Sequence, residues 1–77
     1  MTRKIYQIAA EIRQDWKNVN FGAAPYLDAM LDLGTMEDSY GLDSAQSIVL
    51  YFLANANSWR GENARRNKAE LKSMAKE

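Results

Sequence analysis

Ala45-Gln46-Ser47-Ile48-Val49-Leu50-Tyr51-Phe52-Leu53-Ala54-Asn55-Ala56 is the stretch on which the fold turns. At 100° per residue, Ala45, Ile48, Val49, Phe52, Leu53 and Ala56 fall within an arc of about 140°, the pattern of a helix packed on a core. Leu50, Tyr51 and Ala54 lie outside that arc. A helix apolar on most sides is either central or has a second partner on its other face. Asp43 or Ser44 supplies its N-cap.

Toward the amino end, Thr35-Met36-Glu37-Asp38 has the form of a capping signal, which predicts a short helical turn to Tyr40 ending at Gly41. Before it, Pro25 suits the first turn of a helix. Tyr26, Leu27, Met30, Leu31 and Leu33 give that helix a broad apolar face, Asp28 and Asp32 share the opposite one, and Gly34 is a natural stop. Residues 18–22 read as a loop, with Val19 or Phe21 packing beneath it. After Thr2 as N-cap, Ile5, Ile8, Ala9, Ile12 and Trp16 line a stripe about 100° wide on a first helix.

Toward the carboxyl end, Ser58 to Ala75 is more polar. Ala64, Leu71, Met74 and Ala75 form a thin stripe with Asn67 inside it, while Glu62, Arg66 and Glu70 alternate along the far side. Asn55 to Ser58 and Gly61 favour a break, but no proline enforces one, so the last two helices read as separate or as one kinked helix. The expected fold is all-α, a single domain over residues 1–77 with three to four short helices, at about 3–18, 24–33, 44–57 and 59–75, in a compact bundle-like packing.

At 77 residues the chain has room for one modest core, with about 63% of its surface buried on folding. It contains neither Cys nor His, which removes disulfides, the usual zinc sites and the Cys–His and Ser–His–Asp nucleophile systems. No apolar run approaches a membrane span or a signal peptide, so a cytoplasmic protein without a membrane partner is expected. Charge is the most informative remaining feature. Residues 1–17, 18–59 and 60–77 carry balances of +2, −5 and +3, and there is no Lys or Arg between Asn18 and Trp59. Such a layout steers partners although the net charge is zero.

Three surfaces follow from that layout. The acidic residues Asp28, Asp32, Glu37 and Asp38 form a candidate protein-binding face, with Tyr40, Leu50, Tyr51 and Trp59 as apolar anchors. Arg65, Lys68, Lys72 and Lys76 line a strip that can track a nucleic-acid backbone, with Tyr6 or Trp59 as a stacking surface. Leu50, Tyr51 and Ala54 can pair with a second copy. A calcium loop fails: aligning Gly41 to the invariant glycine puts Met36 and Tyr40 at ligand positions. Asp28 and Asp32 are neighbours on one helix face and not opposed across a cleft, so no catalytic pair, metal site or cofactor is expected.

Ile8-Ala9-Ala10-Glu11-Ile12 with Asp15-Trp16, Pro25-Tyr26-Leu27-Asp28-Ala29-Met30, Tyr51-Phe52-Leu53-Ala54-Asn55-Ala56 and Trp59-Arg60-Gly61-Glu62-Asn63-Ala64-Arg65 together resemble small open reading frames of bacteriophages, notably phages of actinobacteria. The chain departs from that likeness at Asn67, where an apolar residue is expected. The resemblance implies a small non-enzymatic protein of the infected cell's cytoplasm that binds and modulates a host or phage protein. No catalytic residue comes with it. A nucleic-acid-binding protein and a self-associating structural protein are the alternatives.

Overall fold

The computed structural model describes residues 3–75. Its elements run α1 (Ile5–Asp15), α2 (Ala24–Met30), β1 (Ser39–Tyr40), β2 (Asp43–Ser44), α3 (Ala45–Ala54) and α4 (Glu62–Ala75). The chain is therefore mostly helical but not strictly all-α, because the two short strands pair as an antiparallel hairpin. Helices α1, α2, α3 and α4 pack in a ring, each against the next, with α4 returning to α1. The accessible surface of 5024 Å² is close to the roughly 4,800 Å² that scaling gives for a folded chain of this mass.

The stripe on α1 is buried as its spacing predicts: Ile5, Ile8, Ala9, Ile12 and Trp16 all enter the core. Thr2 lies outside the described residues, and the cap position falls to Lys4, whose N–H donates to Gln7 Oε1 at 2.8 Å. The next two amides of α1 find acceptors elsewhere in the chain. Ile5 N–H donates to Gly34 O at 2.8 Å and Tyr6 N–H to Leu33 O at 2.9 Å, which satisfies donors that a helix start leaves open.

Helix α2 stops at Met30, three residues before the expected end. Asp32 N–H bonds to Ala29 O and Leu33 N–H to Met30 O, so the last turn tightens to i→i+3 spacing and the chain leaves the helix. Gly34 does not adopt the left-handed stop conformation. An added Cβ there would sit 3.0 Å from Asp38 Oδ2, and that carboxylate accepts from Gly34 N–H at 2.8 Å and Thr35 N–H at 3.1 Å. The Thr35-to-Asp38 signal thus closes one turn, held also by Asp38 N–H to Thr35 O at 3.1 Å, but no helix follows. Ser39 and Tyr40 instead pair with Ser44 and Asp43, leaving Gly41 and Leu42 as a two-residue loop. Gly41 has φ +66 and Leu42 does not share a positive φ, as in hairpin loops with Gly at the first central position.

Ser44 caps α3, its Oγ accepting from Ser47 N–H at 3.1 Å. Ala45, Ile48, Val49, Phe52 and Ala56 are buried, and Leu53 is half-buried. Helices α3 and α4 are separate. Their connection places Trp59 in the core and turns at Gly61, φ +113. Nothing lies within 4 Å of a Cβ added at Gly61, so its role is backbone conformation and not a close helix approach. In the loop before α2, Val19 packs on the core while Phe21 is 96% exposed. Asn20 ties that loop to the end of α3 by donating to Asn55 O at 2.8 Å.

Candidate functional site

The polar seam between α1 and α4 accounts for much of the charge at the chain's two ends. Arg3 donates to both oxygens of Glu70, at 2.7 and 3.3 Å, to Asn67 Oδ1 at 2.8 Å and to Glu11 Oε1. Arg66 pairs with Glu11 Oε2. Asn67, fully buried, donates to Glu11 Oε2 at 3.1 Å and to Asn63 O at 2.8 Å. Arg66 and Glu70, on the far side from the Ala64–Ala75 stripe, thus reach Glu11 and Arg3, with Glu70 half-buried and Arg66 exposed. Glu11 is held down to a pKa of about 2, chiefly by Arg3 and then by Asn67. Arg3 is pushed above its already high range by Glu70 and then Glu11. Basic residues of the first and last helices do meet, but they meet carboxylates as well, so their charge is neutralised there.

Trp59 is corrected from a surface anchor to a core residue. It is 3% exposed and stacks on Trp16 with ring centroids 5.6 Å apart and planes 8° from parallel. Its Nε1–H donates to Asp15 Oδ2 at 2.8 Å, and Asn63 donates to Asp15 Oδ1 at 3.0 Å. Asn63 and then Trp59 hold the Asp15 carboxyl below its ordinary value. Trp59 therefore offers no face for stacking a base.

The acidic block divides into residues already engaged and residues that are not. Asp28 pairs with Arg13 of α1. Asp38 spends its carboxylate on the amides of Thr35 and Gly34, which hold its pKa low. Asp32, Glu37 and Asp43 are exposed, and none forms a salt bridge among the described residues. Of the four residues Asp28, Asp32, Glu37 and Asp38, all exposed, two have partners within the chain and two form no salt bridge among the described residues.

The anchors fare differently. Tyr40 is 45%, Leu50 47% and Tyr51 54% exposed, and Leu42 at the hairpin tip is fully exposed. On α3, Ser47, Leu50, Tyr51 and Ala54 share an outer arc of about 100°, opposite the core side. Tyr51 also leans on Tyr26 of α2, centroids 5.5 Å apart. Ser44 joins the hairpin to α3, and Ala45 N–H bonds back to Asp38 O at 2.8 Å, so the tip is held in place relative to the helix. Tyr40 and Asp43 are directly paired, which puts a carboxylate beside an exposed ring. Leu42 and Asp43 were not among the sequence candidates; the signal that reveals them is Tyr40-Gly41-Leu42-Asp43, a Gly-X loop between polar-flanked residues.

The basic strip is interrupted. Lys68 is half-buried, and its Nζ donates to Ala56 O at 2.7 Å and Trp59 O at 2.6 Å while lying 5.7 Å from the Trp59 ring. Burial, then Arg60 and Lys72, lower its pKa. Lys68 thereby closes the α3–α4 connection, with one of its three N–H donors left over. Arg65 and Lys72 are exposed, and Lys76 lies outside the described residues. A cavity of about 260 Å³ opens here, lined by Trp59, Arg60, Gly61, Ala64, Arg65 and Lys68.

Among the described residues no three Asp or Glu side chains converge as a metal site, and no helix is long and apolar enough to cross a membrane. Comparison with protein-family models, curated proteins and solved structures finds no match to this chain.

Proposed function

We propose that this chain is a non-enzymatic protein-binding module that docks through its hairpin and the outer side of α3. The observation that carries this reading is the exposure of Leu42, Leu50 and Tyr51 in a stretch whose neighbouring charges, Glu37 and Asp43, are all negative. Isolated exposed apolar residues are ordinary on a protein surface. Here they follow one another along a braced hairpin and helix, with Tyr40 adding a fourth. Apolar anchors at the centre and charge at the rim is the arrangement of a docking surface. The partner surface that fits is apolar at its centre and rimmed by Lys or Arg.

A phage origin is part of the proposal and would place the partner in an infected actinobacterial cell. In the test, tagged wild type and the triple variant Leu42→Ala, Leu50→Ala, Tyr51→Ala are used for capture from actinobacterial lysate, and captured proteins are quantified by mass spectrometry. A protein retained by wild type should be lost by the triple variant, and its capture should weaken with salt. Equal capture by both would overturn the reading. Sedimentation separates out self-association: a wild-type dimer abolished by the same triple variant would make a second copy the occupant and refute the basic partner.

A further inference from the structure

We propose that the cavity between the α3–α4 connection and the first turns of α4 is a binding site for a phosphate group, separate from the docking face. Arg60, Arg65 and Lys68 line it, and Lys72 stands one turn along α4 from Lys68. These four cations lack the close carboxylates that hold Arg3, Arg13 and Arg66. Among the described residues Arg60 and Lys72 form no salt bridge. Among the described residues Arg65 pairs with Glu62 alone, at 3.8 Å with both side chains at least 80% exposed, a contact too loose and too solvated to hold the guanidinium.

A second cavity, of about 330 Å³ beside Arg3, Lys4, Gly34, Thr35, Met36 and Met74, makes the contrast. Its arginine is fully engaged by Glu11 and Glu70. The cavity at Trp59 has no such carboxylate. Lys68 is fixed by two carbonyls, which uses two of its three N–H donors and leaves the third. Its positive charge is also opposed by Arg60 and Lys72, a repulsion that a bound anion would relieve. Two movable guanidinium forks around a fixed ammonium suit a tetrahedral oxyanion, since each fork can present two N–H groups to adjacent oxygens.

Size and chemistry narrow the ligand. The volume, about 260 Å³, lies below the usual range for drug-sized molecules. The Trp59 ring is covered by Trp16 on one side and approached by Lys68, so no base can stack there. The recognised group is therefore the phosphate itself, as the free ion or as the monoester of a small molecule.

The test is a titration of ¹⁵N-labelled protein with inorganic phosphate at constant ionic strength, using chloride as the reference and phosphoserine as the monoester arm. Saturable shifts of the Gly61 and Arg65 amides and the Trp59 indole are expected, with phosphoserine tighter if the monoester is the natural form and equal or weaker if the free ion is. Arg60→Gln and Arg65→Gln should each weaken phosphate binding about tenfold. Both side chains are exposed, so thermal unfolding in chloride should be unchanged and a binding loss cannot be blamed on misfolding. Identical shifts in chloride and phosphate would overturn the proposal. So would binding that survives both substitutions. A DNA duplex that binds more tightly than phosphate and is weakened equally by Lys72→Gln and Arg60→Gln would assign the cations to a nucleic-acid backbone and not to a pocket.

Discussion

Replacing Glu11 by Gln should destabilise the fold in a pH-dependent way. Glu11 accepts from Arg3, Arg66 and Asn67 at the α1–α4 seam, and its pKa falls from the ordinary 4.5 to about 2. A carboxylate depressed by folding stabilises the native state above its unfolded pKa, and that stabilisation is lost as pH falls through the folded value. The full difference corresponds to about 3 kcal/mol. With 29% of the side chain exposed, solvent screening reduces this to about 2 kcal/mol. For a domain of this size that is roughly 10 °C in melting temperature. The assay is thermal unfolding followed by circular dichroism, for wild type and Glu11→Gln, between pH 7 and pH 2. The gap should be full at pH 7 and shrink between pH 4.5 and about 2. Asp38, whose pKa is also lowered, titrates in both proteins and cancels in the difference; Asp15 cancels less completely, because the Glu11 charge raises its pKa in wild type alone. A gap that is absent at pH 7, or constant down to pH 2, would show that the seam does not stabilise the fold through the Glu11 charge.

Asn67→Leu should destabilise by about 1–2 kcal/mol, because the three hydrogen bonds of a fully buried amide are lost and Arg3 and Glu11 lose a partner; a more stable variant would show that the seam prefers an apolar side chain. Gly61→Ala should cost about 1–3 kcal/mol through backbone strain alone at φ +113, since the new methyl meets nothing; urea unfolding with no loss would show that the connection adopts another conformation.

How far the fold was legible differs from element to element. The α1 stripe was fully readable because one side of a long helix faces the core, and five spaced residues report one direction. The core side of α3 was readable for the same reason, and Ser44 proved to be its cap. The hairpin was not. Strands of two residues have no period to detect, and the capping form at Thr35-to-Asp38 is satisfied by a single turn whose carboxylate serves Gly34 and Thr35. Asn67 looked out of place because its partners, Arg3 and Glu11, lie 64 and 56 positions away in the chain. The burial of Trp59 and the bonds of Lys68 to loop carbonyls are hidden for a related reason: whether a loop tryptophan stacks on another ring, or a helix lysine turns onto loop carbonyls, depends on contacts that local spacing does not encode. In the middle third of the charge pattern, Asp32, Glu37 and Asp43 form no salt bridge among the described residues, as expected where the sequence supplies no nearby cation.

Docking of a basic partner by the hairpin and the outer side of α3 is tested by quantitative capture with wild type and the Leu42→Ala, Leu50→Ala, Tyr51→Ala variant. A captured protein whose yield drops at least about tenfold with the variant, and falls further when Glu37 and Asp43 become Lys, is the predicted result. Capture of the same protein in equal amount by wild type and both sets of variants would contradict it.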